Sequence, residues 1–340
     1  MYISVDSKDQ FTSPPATGSA KYRAHTNIAL IKYWGKRNEA LFLPETSSLS
    51  LTLDAFYTDT QVIFSPELKE DTFYLNGQLQ TQQATQKVTQ FVDLFRHKAD
   101  RRVPFLIESY NHVPTAAGLA SSASAFAALS AACNAALELN MEPTELSTYA
   151  RRGSGSATRS LFGGFVEWHR GFDDNSESSY AEPFDPADWD VAMLVVMVNQ
   201  QEKDLSSREG MELTRRTSPF YQLWPQEVEK DLQTIKEAIR RQDFETMGEV
   251  AEHNAMKMHA TMIAANPSFT YWQPDSLDVM NHVRHLRRQG IPCYFTMDAG
   301  PNVKILCRQS QADQIQDYFK QFYSKDQLCL ALPGSAPHVI

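Results

Sequence analysis

Between residues 84 and 98 the apolar side chains Val88, Phe91, Val92 and Phe95 recur every three or four positions, the period of a helix with one buried face. Residues 60–65, 71–75 and 103–109 read instead as strands. Asn76-Gly77, set in Phe-Tyr-Leu-Asn-Gly-Gln-Leu, predicts a tight hairpin, because both residue types tolerate a positive φ. An Ala-rich segment from about 121 to 139 predicts a long helix. The run Val-Ala-Met-Leu-Val-Val-Met-Val within 187–201 is short and β-branched, the pattern of a buried strand. Helical patterns then dominate over about 206–217, 226–242, 243–265, 275–289 and 311–322, with strands expected at 293–296, 303–307 and 329–332. Strands and helices that do not alternate regularly give an α+β class.

At 340 residues the chain is long for one core, so two domains are expected. The division placed on the sequence is an N-terminal arm over 1–20, a first domain over 21–186 and a second over 187–340. The Asp-, Ser- and Glu-rich stretch 171–188 is the expected linker. Hydrophobic content of 42% and charged content of 21% are ordinary for a globular protein. No stretch approaches the ~20 apolar residues that span a bilayer, and no secretory signal is expected from the first residues. The net charge of −9 argues against nucleic acid or an anionic membrane as partner. A small anionic substrate remains compatible, provided that positive charge is concentrated locally. Cys133, Cys293, Cys307 and Cys329 form no Cys-x-x-Cys pair, so neither a disulfide framework nor a cysteine metal cluster is expected, and a cytoplasmic setting follows.

Three segments carry candidate chemistry: Lys32-Tyr33-Trp34-Gly35-Lys36, Gly153-Ser154-Gly155-Ser156-Ala157-Thr158-Arg159 and Met297-Asp298-Ala299-Gly300-Pro301-Asn302. Together they offer a carboxylate, two ammonium groups, hydroxyls and a guanidinium, a set suited to a small polyanion whose hydroxyl must be activated. Lys32 sits in an apolar context, unlike a purely solvated lysine. Asp298 follows a predicted strand and precedes Gly-Pro. It reads either as a catalytic acid or base or as a turn former. Gly153, Gly155, Gly163 and Gly164 surround Arg159, whose planar guanidinium suits a two-pronged contact with a carboxylate or phosphate. Between these segments lies Pro114-Thr115-Ala116-Ala117-Gly118-Leu119-Ala120-Ser121-Ser122, a glycine-containing loop that opens the Ala-rich helix. It reads as a phosphate site at a helix N-terminus or as an ordinary serine cap, and both readings stay open. It is not a Walker loop, since Gly-Lys-Ser/Thr is missing. The histidine pairs His253/His259 and His282/His285 lack a third metal partner, and Met247, Met256, Met258 and Met262 read as packing residues.

With these residues in hand, the chain resembles the diphosphomevalonate decarboxylases, within the superfamily of galactokinase, homoserine kinase, mevalonate kinase and phosphomevalonate kinase. The resemblance runs colinearly from about Ala24 to Cys307. It rests on His25–Lys36, Pro114–Ser124, Arg151–Trp168, Ser206-Ser207-Arg208-Glu209-Gly210-Met211 and Asp298–Asn302. It implies a two-domain fold with the active site between the halves, in a cytoplasmic homodimer that uses ATP and Mg2+. The implied reaction converts mevalonate 5-diphosphate to isopentenyl diphosphate, ADP, phosphate and carbon dioxide. On this resemblance Asp298, Lys32 and Arg159 are catalytic. Tyr33, Trp34, Gly35, Lys36, Ser154, Gly155, Ser156, Arg159, Ser207, Arg208 and Ala299 bind the substrate. Pro114, Ala117, Gly118, Leu119, Ala120, Ser121 and Ser122 bind ATP. Some relatives place an Arg before the Asn-Gly hairpin where this chain has Asp71-Thr72, which shifts the expected diphosphate contacts onto Lys36 and Arg208. A 3-kinase of the same fold would not need Asp298, Lys32 and Arg159 together, and a non-catalytic relative is expected to lose some of these charges.

Overall fold

The computed structural model describes residues 18–112, 121–199 and 204–340. The chain begins β1 (Ser19–Ile31), β2 (Lys36–Asn38), β3 (Leu43–Pro44), β4 (Ser48–Phe64), β5 (Thr72–Leu75), β6 (Gln78–Leu79), α1 (Gln82–Ala99) and β7 (Phe105–Asn111). It continues α2 (Ser121–Ala136), α3 (Pro143–Gly153), a 3-10 helix at Gly155–Leu161, β8 (Phe165–Trp168) and β9 (Ala181–Asp185). The remainder is β10 (Ala192–Val196), α4 (Ser207–Thr217), α5 (Trp224–Arg240), α6 (Phe244–Ile263), α7 (Pro274–Arg288), β11 (Cys293–Thr296), β12 (Val303–Cys307), α8 (Ala312–Phe319), β13 (Leu328–Ala331) and β14 (His338–Val339).

Two sheets organise these elements. The larger runs β14-β1-β4-β7-β5-β6, with β8 added beside β4 and β9 beside β8; the smaller is β11-β12-β10-β13. In the long pair β1 and β4, Ser19 lies opposite Ile63 and Ile31 opposite Leu49. The hairpin forms as expected: Asn76 and Gly77 have φ of 51° and 75°, and Leu75 pairs with Gln78. Strand β10 alternates between two cores. Met193 and Val195 join Ile28, Leu30, Leu49 and Leu51 of the first sheet, together with α5 and α6. Ala192, Leu194 and Val196 face the opposite way, onto α7 and α8. A third core packs α1, α2 and α3 against the first sheet. One apolar core therefore joins β1 and β4 to β10 and to the α5–α6 pair.

The structure departs from the sequence reading at several points. Ser19 and Ala20 belong to β1, opposite Ile63 and Val62, so the N-terminal arm ends sooner than residue 20. Long, mostly buried β1 was not foreseen as a strand, because its mixed polar side chains broke the alternation. The stretch 171–188 is not wholly a linker, since β9 within it pairs with β8. The Gly-rich segment around Arg159 is largely helical: Gly153 closes α3, and 155–161 is a 3-10 turn. Asp71 is structural. Its carboxylate pairs with Arg96 of α1 and accepts from Thr89 Oγ1 and Phe105 N, tying α1 to β7.

Candidate active site

Lys32 follows the last residue of β1, and Asn254 of α6 fixes its backbone: Lys32 N donates to Asn254 Oδ1 at 2.8 Å. Asn254 in turn donates to Asp231, which pairs with Lys257. From this anchor the Lys32 ammonium donates to Ala29 O and to Asp298 Oδ1, both at 2.7 Å. Lys32 is buried, as its apolar neighbours implied. Burial pushes its pKa down to about 8, against the opposing pull of Asp298.

Asp298 lies in the turn between β11 and β12. Its own carbonyl accepts from Gly300 N at 2.8 Å, and Ser276 of α7 donates to the carbonyl of Pro301 at 2.6 Å. Asn302 completes the turn by accepting from Val198 N and Asn199 N at the end of β10. A second ammonium, from Lys304 of β12, stands 3.2 Å from Asp298 Oδ2. Burial would raise the Asp298 carboxyl, but the two lysines outweigh it and hold the group well below the usual carboxylate range. The carboxylate keeps 27% of its side-chain surface exposed while both lysines are enclosed, so Asp298 presents the open face of the trio.

Arg159 approaches from the 3-10 turn. Its Nη1 donates to Ser48 Oγ at 2.6 Å, its Nε to Asn27 Oδ1 at 3.3 Å, and its guanidinium lies 5.6 Å from the Trp168 ring centroid. Burial lowers its pKa to about 10, so the group stays cationic near neutrality. Asn27 of β1 also donates to Ser156 O and Ser160 Oγ, holding the turn on the sheet. At Gly155 a Cβ would meet Tyr33 at 2.9 Å and Trp168 at 3.1 Å, so only glycine lets the turn lie against these rings. Gly35, with φ of 120°, lies where a Cβ would run into the Tyr221 hydroxyl, which itself donates to Trp34 O.

The serines expected on separate ligands meet. Ser122, at the start of α2, is 3.1 Å from Ser154, and Ser154 is 3.1 Å from Ser156. Ser124, one turn into α2, bonds Thr26 of β1 and Thr58 of β4, which pins the N-terminus of that helix over the sheet. Pro114, Ala117, Gly118, Leu119 and Ala120 lie outside the described residues. Lys36 is buried, donates to Glu39 at 2.6 Å, and lies over the Phe42 ring. Exposed Arg208, on the first turn of α4, lies over the same ring, so the two cations expected for the diphosphate share one locality. Ser207 is beside it, behind the Ser206–Glu209 capping box. Trp34 packs its ring into the core, and Ala299 is buried beside Asp298.

Sequence reasoning missed Lys304, Asn254 and Asn27. Lys304 carried a readable signal, a lysine inside the apolar strand Val-Lys-Ile-Leu-Cys, as Lys32 did. The two asparagines carried none, because their partners are remote in sequence. Among the described residues no group of three or more His, Cys, Asp or Glu could hold a metal ion. Magnesium suits such a site as an ion carried by nucleotide phosphates, which it commonly binds with few protein ligands. No helix among the described residues is long and apolar enough to cross a membrane.

Comparison with known proteins identifies the family. The diphosphomevalonate decarboxylase-like N-terminal domain matches residues 24–181, and the mevalonate 5-diphosphate decarboxylase C-terminal domain matches 193–333. The diphosphomevalonate decarboxylase of Debaryomyces hansenii is 36% identical over 320 residues, covering 89% of this chain and 82% of that protein. A solved structure of the mevalonate diphosphate decarboxylase from Enterococcus faecalis, on mevalonate diphosphate mediated ATP binding, superposes with a TM-score of 0.89 at 52% identity. It covers 95% of this chain and 98% of that one. A structure described as MDDEF in complex with MVAPP, AMPPCP and magnesium gives the same TM-score, 0.89, the same identity, 52%, and the same coverage, 95% and 98%. By sequence and by fold, the chain belongs to the diphosphomevalonate decarboxylase family.

Proposed function

We propose that this chain converts mevalonate 5-diphosphate and ATP to isopentenyl diphosphate, ADP, phosphate and carbon dioxide, with Asp298, Lys32 and Arg159 at the reacting centre. The observation that carries the assignment of roles is the 2.7 Å pair between buried Lys32 and Asp298, beside buried Arg159. The 3-hydroxyl of the substrate is tertiary and leaves poorly. Phosphoryl transfer from ATP makes a bond to that oxygen, which loses its proton, and ADP departs. The carbon–oxygen bond to C3 then breaks with its electrons on phosphate. The electrons of the carboxylate–carbon bond form the alkene as carbon dioxide leaves.

Asp298 is a weak proton acceptor here, because two ammonium groups hold its charge. Its main work is to orient the 3-hydroxyl and to place a negative charge beside C3 as positive character grows there. Arg159 holds the substrate carboxylate so that the breaking bond aligns with the leaving group. Ser154 and Ser156 support that end. Lys36, Tyr33, Ser207 and Arg208 receive the diphosphate, with Gly35, Gly155, Trp34 and Ala299 shaping the walls. Ser121 and Ser122, with the loop amides of 114–120, take the ATP phosphates at the positive end of α2. Carried by the nucleotide, magnesium would neutralise the ATP phosphates held by Ser121 and Ser122.

The division into a domain over about 21–186 and a second over 187–340, a cytoplasmic setting and a homodimer belong to the same proposal. The domain division is supported by the two family matches, which end at residue 181 and begin again at 193. The test mixes protein, magnesium, ATP and mevalonate 5-diphosphate and measures carbon dioxide and ADP together. Equal amounts are expected, with the 5-monophosphate a much poorer substrate. A stable 3-phosphorylated product with no carbon dioxide overturns the decarboxylase reading and leaves a 3-kinase.

A further inference from the structure

Two lysines close on Asp298, and only Lys32 has been given a place at the reacting centre. Along β12, Val303, Ile305 and Cys307 face the core under α7 and α8, so Lys304 and Leu306 point the other way, toward β1 and α6. Lys304 is fully enclosed there, with its ammonium 3.2 Å from Asp298 Oδ2 and 3.2 Å from Asn302 O. Lys32 takes the other carboxylate oxygen. Lys32 alone would neutralise Asp298, and an enclosed ammonium is costly to keep. The groups facing Asp298 are Lys32 from the end of β1, Lys304 from β12, Arg159 from the 3-10 turn and His259 from α6. Burial drives His259 down to about 3, so it is neutral and adds no charge.

We infer that Lys304 is a positioning residue acting through Asp298: it holds the second carboxylate oxygen, keeps the group ionised across the working pH range and aims a permanent anion at C3. This rests on the reading that Asp298 lies at the reacting carbon. The arrangement divides labour between the sheets. Lys32, from the end of the first sheet's β1, and Lys304, from the second sheet's β12, each hold one carboxylate oxygen and leave the exposed edge of Asp298 to the substrate. Without Lys304, burial would act on a carboxylate with one close ammonium left, and its proton affinity would rise.

The test follows the Asp298 carboxyl carbon by NMR in 13C-Asp-labelled whole protein, with Asp298→Asn assigning the signal. In the wild type the signal should not titrate above pH 4. In Lys304→Met it should titrate at least one pH unit higher than in the wild type, and kcat should fall as pH drops through that titration, with KM for mevalonate 5-diphosphate changed less than threefold. Lys304→Arg should restore the wild-type titration and recover most of the lost turnover. In an Asp298→Asn background, Lys304→Met should cost less than threefold further. An Asp298 signal that titrates above pH 5 in the wild type overturns the inference even if Lys304→Met does not fold. So does a titration in Lys304→Met that matches the wild type, or an Arg variant as impaired as the Met variant. If wild-type protein released no carbon dioxide, the proposed reaction would fail while the titration remained readable. Carbon dioxide release with an unmoved titration defeats only the role given to Lys304.

Discussion

Replacing Asp298 by Asn keeps the side-chain shape and removes the charge on which two buried ammonium groups depend. At 2.7 Å and 3.2 Å, and with an effective dielectric near 20, each lysine gains about 5–6 kcal/mol of gross attraction to the carboxylate. Desolvation offsets most of that, and the carboxylate is 27% exposed, so the net loss should fall near the low end of the roughly 3–5 kcal/mol seen when one partner of a buried pair is removed. The variant should therefore fold but melt earlier. The loss has a pH signature. Lys32 already sits at about 8, below its ordinary 10.5, and without Asp298 it falls further. A folded-state pKa below the unfolded value means that the unfolded chain binds more protons in that window, so stability rises with pH there. The deficit of Asp298→Asn relative to wild type should accordingly be larger at pH 6 than at pH 9 in urea melts. Turnover should fall by ~10²–10⁴-fold, as for loss of a positioned acid–base or charged group. In single-turnover quantitation neither ADP nor carbon dioxide should form at the normal rate, because the hydroxyl is no longer oriented. A variant that kept more than about a tenth of wild-type turnover would mean that Asp298 is a turn residue and that the reacting centre lies elsewhere.

Arg159→Lys should lose about 10²-fold in turnover, because an ammonium cannot bond Ser48 and Asn27 while gripping a carboxylate in two places; quenched-flow analysis should show ADP appearing ahead of carbon dioxide. Ser122→Ala is expected to act mainly on ATP and Ser156→Ala mainly on the acid substrate, but the hydroxyl chain through Ser154 should couple them by about 0.5–3 kcal/mol in a double-mutant cycle on kcat/KM. Strictly additive effects would show that the chain carries no coupling. Glu39→Gln removes the anion that occupies Lys36. An exposed partner of this kind is worth about 0.2–1 kcal/mol, so KM for mevalonate 5-diphosphate should drop by up to about fivefold, and an unchanged or higher KM would place the diphosphate away from Lys36.

The sequence alone determined the α+β class, most helices and strands of the second half, the Asn76-Gly77 hairpin and the three charged segments. These are local properties: periodicity, turn chemistry and a lysine in apolar company can be read from a few neighbours. The family resemblance, carried by motifs in colinear order, was legible for the same reason. Tertiary structure decided the rest. It showed that Asp298 is gripped from both sides by lysines 266 residues before it and six after it, and the role proposed for it as a fixed charge rests on that grip. It brought Ser122 to Ser154 across the N-terminus of α2, and it gave Asp71 to Arg96 rather than to a ligand. None of these pairings leaves a mark in the local pattern. Charge state and hydrogen-bond partner depend on which groups the fold buries side by side, and burial sets both the strength of a charge interaction and the cost of leaving it unmade.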